Sequence, residues 1–371
     1  MKQGKVFLSM LLLLTLVPGC SFQPGAGESG SEELSFPEPL AFYEKLNIEE
    51  NQELRLLSAG EGMVLLAVNN TIPPEDPSYQ EVGINSSTAQ LLLVRREDGE
   101  PIRTVKLESG VFCSSGVALG RDIYYAAVEL AESSAVPSVR YQIRKNTGTG
   151  KELWVAEGLC PNYDLQFPVL MGLAGKGLVY SFSDPDRKEF GVNSIQGDVV
   201  KEQVVYQDDK ENTTSLFTLL GGNGKSYLYY TAVNGSGTFL IGNLEGIQHT
   251  VILPREERVG AFTLLEDTIL ASIQTETESG RLVSRLTVKD FNGRTLCEYG
   301  SEPIYRLTSN GGNCAMGIDG EYASYLFRYD GTELQGIPVE MEAQPVLFLG
   351  GEGEFLLNFD TVRQICSLKM P

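Results

Sequence analysis

A turn followed by an apolar run rich in β-branched and aromatic residues recurs seven times along this chain of 371 residues. A second series, of X-Gly turns, falls in phase between pairs of strand-like runs. X-Gly between β-rich runs favours a tight hairpin, because glycine tolerates positive φ. Each unit is therefore predicted to contain four strands, A to D, with tight A–B and C–D turns. The first series begins at Gly60, Gly120, Gly175, Gly222, Leu265, Gly311 and Gly350, and the second contains Gly99, Gly150, Gly197, Gly246, Gly293 and Gly331.

Four short strands repeated about every 40–50 residues are typical of the blades of a β-propeller. The predicted fold class is therefore all-β, a propeller of seven four-stranded blades. The seventh unit supplies only strands A to C, and we expect residues 40–47 to supply its outer strand. This pairing would close the propeller and remove a free sheet edge. A pair of β-sandwiches is the alternative, but it does not predict a strand-poor end matched by a spare strand.

The first residues have the composition of an export signal. Lys2 and Lys5 precede an apolar run over residues 6–17, which is shorter than the roughly twenty residues that a membrane-spanning helix needs. The segment 16–20, Leu-Val-Pro-Gly-Cys, resembles the bacterial lipobox. This resemblance implies that residues 1–19 are removed and that the Cys20 thiol is diacylated, with an ordinary signal peptide as the alternative. Two acyl chains suffice for a stable anchor.

The predicted anchor defines the domain organisation. Residues 20–39 are mostly Ser, Gly, Pro and Glu, and this composition is typical of a flexible tether. Residues 40–371 form the predicted propeller domain. We therefore expect the protein at the cell membrane, lipid-anchored on the extracytoplasmic face of a bacterium, and in the outer membrane if the source is Gram-negative. Membrane lipid is then its first partner, through acylated Cys20.

Composition excludes several classes of function. The formal charge of −20 disfavours nucleic-acid binding, which needs a cationic surface. The single histidine, His249, is too little for a His-rich zinc site and is expected to be exposed on an outer strand. Asp184, Asp186 and Glu189 lack the alternating ligands and the glycine of a calcium loop. We predict neither a metal nor a cofactor.

Residues 146–154, Asn-Thr-Gly-Thr-Gly-Lys-Glu-Leu-Trp, resemble the docking motif of quinoprotein-like (PQQ-type) propellers. The resemblance implies that Trp154 locks two adjacent blades, with Thr149, Gly150 and Lys151 forming the turn before it. Asn146 stands where the motif usually has Asp, and the other units carry only truncated forms. The chain is thus identified as a divergent propeller of the PQQ-like or WD40-like kind. Bound quinone is not implied, because a vicinal Cys pair and a calcium cluster are both lacking.

Long connections are concentrated in the first three units, at the B–C and D–A positions that share one face of a propeller. They occupy residues 72–85, 129–138, 158–167, 183–191 and 208–214. Long loops on a rigid scaffold are where binding sites usually lie. The alternative is solvated loop decoration without a partner. The predicted aromatic anchors are Tyr79, Tyr163, Phe167 and Phe190, and the predicted polar group is Asp184, Asp186, Arg187 and Glu189.

The cysteines other than Cys20 give little support to redox or zinc chemistry, because no C-x-x-C is present. Cys314 and Cys366 lie in apolar runs and are predicted to be buried. Whether Cys113 and Cys160 pair is left open.

The sequence favours a non-catalytic binding or scaffold module that holds a protein, peptide or glycan through its long-loop face. Two alternatives remain. One is a glycan-active enzyme with paired carboxylates, which could be an acid and a base or nucleophile. The other is an accessory subunit of an envelope assembly or transport complex. Both rest on fold analogy, which is weak evidence for function.

Overall fold

Antiparallel β-strands form nearly all the regular structure that the computed structural model describes. The structure describes residues 38–40, 46, 48–71, 86–130, 138–161, 170–184, 187–207, 213–219, 225–233, 236–277, 279–300, 302–319, 323–341, 345–351, 354–359 and 364–370. Within these ranges there is no α-helix. A helix long and apolar enough to cross a membrane is accordingly not found among them. The all-β expectation is confirmed.

The described strands pair into seven antiparallel sheets of four, which we number in chain order. Sheets 1 to 3 contain β2 (Gln52–Gly60), β3 (Met63–Thr71), β4 (Ser86–Arg95) and β5 (Pro101–Lys106); β6 (Phe112–Leu119), β7 (Asp122–Leu130), β8 (Ser138–Asn146) and β9 (Glu152–Pro161); and β10 (Met171–Ala174), β11 (Gly177–Asp184), β12 (Glu189–Gln196) and β13 (Val199–Gln207). Sheets 4 and 5 contain β14 (Thr213–Leu219), β15 (Tyr227–Val233), β16 (Ser236–Asn243) and β17 (Gly246–Ile252); and β18 (Glu257–Leu264), β19 (Ile269–Glu276), β20 (Leu282–Lys289) and β21 (Thr295–Tyr299). Sheets 6 and 7 contain β22 (Ile304–Ser309), β23 (Cys314–Asp319), β24 (Ser324–Tyr329) and β25 (Leu334–Val339); and β26 (Pro345–Gly351), β27 (Glu354–Phe359), β28 (Gln364–Lys369) and β1 (Glu38–Pro39).

Where the structure describes them, the predicted tight turns lie at one end of their sheet, which we call the turn end; the strand ends that lead into the B–C and D–A connections lie at the other, the loop end. All six glycines of the C–D series adopt positive φ, from 64° at Gly197 to 138° at Gly246. L-residues with a Cβ rarely adopt this backbone conformation, so these positions favour glycine. The prediction of four strands per unit with a tight C–D turn is confirmed for the first six sheets.

The described outer strand of sheet 7 comes from the N-terminal side of the chain: it is β1, just before the predicted residues 40–47, of which only Leu40 and Leu46 are described. Glu38 and Pro39 pair with Ser367 and Cys366 of β28, and the Leu40 N–H donates to the Ile365 carbonyl at 2.9 Å. An outer strand tolerates proline, whose missing N–H faces away from the ladder. Leu40 and Leu46 also pack, with Ile48, against the apolar cluster that joins sheets 7 and 1.

Seven clusters of buried apolar side chains hold consecutive sheets together. Each cluster takes residues from two neighbours in chain order, and the one that contains Leu54 and Leu356 joins sheet 7 to sheet 1. The first strands of consecutive sheets also contact one another, and β26 contacts β2. Sheet-on-sheet packing of this kind uses both faces of every sheet, which is why strands such as residues 64–68 are apolar without alternation.

A β-bulge interrupts the first strand of sheets 1, 2, 5, 6 and 7. The residue just before the bulge in sheets 1, 2 and 6 gives its N–H to a side chain of the preceding sheet. Leu56 donates to Asn358 Oδ1 at 2.8 Å, Cys113 to Thr88 Oγ1 at 2.9 Å, and Ile304 to Ser272 Oγ at 3.1 Å. These bonds satisfy buried amides at three boundaries between sheets.

Candidate functional site

The structure places part of the predicted binding group in the hairpin that joins β11 and β12. Tyr79, Tyr163, Phe167 and Asp186 lie outside the described residues, as does the predicted lipidation site Cys20. The described members of the group are Asp184, Arg187, Glu189 and Phe190. The connection in this hairpin is shorter than predicted, because β11 extends to Asp184 and β12 begins at Glu189.

Charged side chains concentrate at the loop end of this hairpin. Asp184 Oδ1 accepts a hydrogen bond from the backbone N–H of Arg187 at 3.0 Å, and the side-chain Nε of Arg187 lies 3.8 Å from Asp184 Oδ2. Arg187 is 71% exposed in its side chain, so this ion pair contributes little to stability. Asp184 and Glu189 pair directly across the two strands, an arrangement of like charges that costs energy in a sheet.

Phe190 is wrong as an exposed aromatic anchor. It is 5% exposed and belongs to the cluster between sheets 3 and 4. Its ring stacks on Tyr206, with centroids 5.6 Å apart and planes 17° apart. The physical reason is the strand extension: once β12 begins at Glu189, alternation along the strand turns the next side chain into the core.

A groove of about 310 Å³ lies beside Asp184 and extends over the last two strands of sheet 2. It is lined by Arg140 from β8, by Glu157, Gly158 and Leu159 from β9, and by Asp184 from β11. Arg140 and Glu157 are exposed. The groove therefore brings one guanidinium and two carboxylates to the loop end of sheets 2 and 3.

The floor of this groove depends on a glycine. Gly158 pairs with Tyr141 across β8 and β9, and a Cβ at Gly158 would lie 2.6 Å from the Tyr141 Oη. The Tyr141 ring is buried in the cluster between sheets 2 and 3. A side chain at residue 158 would displace that ring, so the groove and the core share this position.

The predicted blade lock is wrong for Trp154. Thr149 and Gly150 do form the C–D turn of sheet 2, with φ of 85° at Gly150 and a bond of 3.0 Å between the Thr147 and Thr149 hydroxyls. Lys151 closes the turn, its N–H donating to Thr147 Oγ1 at 3.1 Å. Trp154, however, is 67% exposed on the outer strand β9. Its ring covers the Arg144 guanidinium, 5.8 Å away, within its own sheet.

Other side chains hold neighbouring sheets together at the turn end. Arg103 of β5 donates to the Thr147 and Gly148 carbonyls in the C–D turn of sheet 2. Lys145 joins sheets 2 and 3, since its Nζ lies 3.1 Å from both Asp122 Oδ2 and Asp198 Oδ1. Burial is the largest single influence on the Lys145 pKa and lowers it, but the hydrogen bonds to Tyr124, Asp198 and Asp122 together outweigh burial and raise the pKa.

The predicted burial of Cys314 and Cys366 and the predicted exposure of His249 are confirmed. Cys314 and Cys366 are buried free thiols in the cluster between sheets 6 and 7. Cys113 is also a buried free thiol, and burial raises its pKa to about 12. His249 is exposed on β17, and the centre of its ring lies 4.8 Å from the centre of the Phe291 ring. The part of the chain that the structure describes holds no group of three His, Cys, Asp or Glu side chains suited to a metal ion.

Sequence reasoning missed Arg140 and Glu157 in the groove and Arg103 at the turn end. Each is a single charged residue inside a strand, and its role depends on the neighbouring sheet. Their only sequence signal is position: Arg140 lies near the loop end of a third strand and Arg103 near the start of a fourth, next to a C–D turn.

No protein-family model matches the chain. No curated protein matches it either. Among solved structures, the chain is similar to one in "Crystal Structure of Mitotic Checkpoint Complex", with 9% identity over 96% of this chain and 99% of that one, and a TM-score of 0.52. It is also similar to the computationally designed Ika8 protein, with 10% identity over 86% and 97% and a TM-score of 0.45. A puromycin-hydrolyzing peptidase of Mycobacterium tuberculosis matches at 13% identity over 80% of this chain and 46% of its own, with a TM-score of 0.44. The first likeness and the seven four-stranded sheets together identify a propeller-like, all-β fold.

Proposed function

We propose that this chain is a closed, seven-bladed propeller of the PQQ-like or WD40-like kind that works as a non-catalytic binding or scaffold module. Support for the closed ring comes from two links between sheet 7 and sheet 1: the shared apolar cluster, and the hydrogen bond from the Leu56 N–H to Asn358 Oδ1. A propeller-like module of this kind presents its loops on a rigid support. The similar chain in the mitotic checkpoint complex is part of an assembly, which favours a protein partner over a small substrate.

The observation that carries the proposal is the groove at the loop end of sheets 2 and 3. Its size of about 310 Å³ falls at the low end for ligand sites and suits a few side chains of a partner. Arg140, Glu157 and Asp184 offer both charges, so a partner with a complementary arrangement gains specificity. The sector coincides with the long connections of the first three units.

Site-specific crosslinking in intact cells tests this proposal. A photoreactive residue at Arg187, beside the groove and exposed, is expected to capture a partner, as is one at Tyr79. The same photoreactive residue at Arg294, in the C–D turn of sheet 5, is the matched control. It is not expected to capture any species that is captured at Arg187. The charge reversal Arg140→Glu should remove the species captured at Arg187. Capture that is equal at both positions, or that survives Arg140→Glu, would contradict a groove-directed partner.

The same proposal places the protein on the extracytoplasmic face of a bacterial membrane, tethered by residues 20–39 to acylated Cys20. Support comes from the lipobox-like segment and from a tether composition that cannot form a core. Labelling with a palmitate analogue should mark the wild-type chain and fail in Cys20→Ala. Cys366→Ala is the matched control, because that thiol is buried. Labelling that persists in Cys20→Ala would contradict the anchor.

A further inference from the structure

The first strands of sheets 1 and 5 carry an arginine at the same place. Arg55 and Arg258 each lie two residues before the unpaired bulge residue, which is Leu57 in β2 and Gly260 in β18. In the following sheets, the bulge residues are Ser114 in β6 and Tyr305 in β22. The boundaries between sheets 1 and 2 and between sheets 5 and 6 can therefore be compared position by position.

At the first boundary the space is filled. The Arg55 guanidinium donates to the Ser114 carbonyl at 2.9 Å and to the Cys113 carbonyl at 3.4 Å, and it lies 5.5 Å from the centre of the Phe112 ring. Leu57 is partly buried and packs against the cluster between sheets 1 and 2. Arg55 is thus a structural cation whose charge is satisfied by bulge carbonyls.

At the second boundary the same positions are open. Gly260 replaces the leucine, and Arg258, Gly260 and Tyr305 are all exposed, Tyr305 by 58%. A Cβ at Gly260 would lie 3.7 Å from the Ile304 carbonyl oxygen, so this oxygen borders the empty position. Val259 packs toward sheet 4, and alternation therefore turns Arg258 toward sheet 6. We call this space, bounded by Arg258, Gly260, Ile304 and Tyr305, the β18–β22 notch.

We propose that the β18–β22 notch binds a carboxylate that carries a neighbouring hydroxyl or N–H donor, as in an acidic sugar or the end of a peptide. The planar guanidinium of Arg258 suits a carboxylate, which it can hold by two parallel hydrogen bonds. The Ile304 carbonyl accepts from the neighbouring donor. The exposed ring of Tyr305 offers an apolar face to the ligand's carbon skeleton.

The acidic charge of the whole chain does not prevent such binding. Exposed charges more than about 8 Å apart are largely screened at physiological salt. A carboxylate in contact with Arg258 therefore experiences mainly the charged groups next to it in the chain and on the facing strand. These are Glu256 and Glu257 on one side, of which Glu257 is paired with Lys289 at 3.3 Å, and Glu302 and Arg306 on the other. This site is distinct from the groove of sheets 2 and 3, so either can fail without the other.

Saturation-transfer NMR and calorimetry with two probes, sodium D-glucuronate and N-acetyl-L-alanine, test the proposal; D-glucose is the probe without a carboxylate. Arg258→Gln removes the charge from an exposed position and should weaken binding about tenfold or more, the loss expected for a charge-assisted hydrogen bond. Gly260→Leu introduces at this bulge the leucine that sheet 1 has at the same place, and it should abolish binding because the side chain fills the notch. It is tolerable because atoms near a Cβ at Gly260 lie at ordinary contact distances, and Gly260→Ala provides the smaller step.

Arg294→Gln, the same change at the turn end of sheet 5, is the control and should bind like the wild type. Binding of glucuronate alone would assign an acidic sugar, and binding of the acetylated amino acid alone a peptide terminus. The proposal is overturned if neither carboxylate binds the wild-type chain. It is also overturned if D-glucose binds equally well, or if binding survives both Arg258→Gln and Gly260→Leu.

Discussion

Asn358 provides the sharpest test of how the last sheet joins the first. Its Oδ1 accepts the Leu56 N–H at 2.8 Å, and the two residues are 5% and 0% exposed. Neither group can exchange its partner for water. Asn358→Leu keeps a similar volume and removes the acceptor, leaving a buried N–H without a partner. That loss costs about 1–3 kcal/mol of unfolding free energy. For a domain of this size, the same loss lowers the unfolding temperature by about 1–4 °C.

Urea unfolding measures the loss of stability in Asn358→Leu, and amide hydrogen exchange measures whether the Leu56 N–H has lost its partner. The unfolding free energy should fall by the stated amount, and the Leu56 amide should lose protection while the Ile304 amide keeps it. Ser272→Ala is the matched variant, because Ser272 caps Ile304 at the boundary between sheets 5 and 6. It should give the reverse exchange pattern. An Asn358→Leu protein with unchanged stability and a still-protected Leu56 amide would refute the reasoning.

Three further changes follow from local geometry and charge. Gly150→Ala should lower the free energy of unfolding by about 1–2 kcal/mol, because a residue with a Cβ is strained at the Gly150 φ of 85°, even though no atom lies within 4 Å of that Cβ. Gly60→Ala is the control: the position is equally open but its φ is not positive, so urea unfolding should be nearly unchanged. Hydrogen bonds from the Glu333 N–H and then from Thr332 hold the Asp330 pKa below its usual range. The contribution of Asp330 to stability is therefore present above about pH 4 and is lost as pH falls through the lowered pKa, and Asp330→Asn should flatten that part of the pH profile of unfolding. Burial raises the Cys113 pKa to about 12, so above the ordinary thiol pKa the folded chain keeps a proton that the unfolded chain loses. Between the pKa of the unfolded chain and that of the folded chain, the urea midpoint of the wild type should therefore fall with rising pH. The fall should be smaller in Cys113→Ala.

The turns could be predicted from the sequence because they depend on single residues. Glycine at a C–D turn reports its own backbone requirement, and Gly99 and Gly331 adopt the expected φ without help from the rest of the fold. The strand glycines could not be predicted in this way. Gly242 lies under the Tyr227 ring and Gly336 against the Tyr299 hydroxyl, where a Cβ would be 2.5 Å from the tyrosine oxygen in both cases. Their requirement comes from another part of the fold, namely the neighbouring strand β15 for Gly242 and the preceding sheet for Gly336.

Sequence and structure indicate the same sector for a candidate site but different residues within it, and the site itself stays a prediction. Connection length identified sheets 1 to 3, and the groove does lie between sheets 2 and 3. Sequence alone, however, cannot separate a long loop from two extended strands. Phe190 was assigned to a loop for this reason, although it lies in β12 and in the core.

The boundaries between sheets explain why a single docking motif could not describe this chain. The acceptor at the same structural place is Asn358 in sheet 7 and Ser272 in sheet 5, both paired with the residue after a bulge. In sheet 6 that place holds Ile318, and the residue before the next bulge is Pro345, which has no N–H to satisfy. At these two boundaries the polar side chain accepts the N–H that precedes the bulge, and where Pro345 removes the donor the same place holds an apolar residue. The Cys113 N–H is satisfied from a different strand, by Thr88 of β4, so a motif read from one unit cannot be carried to the others.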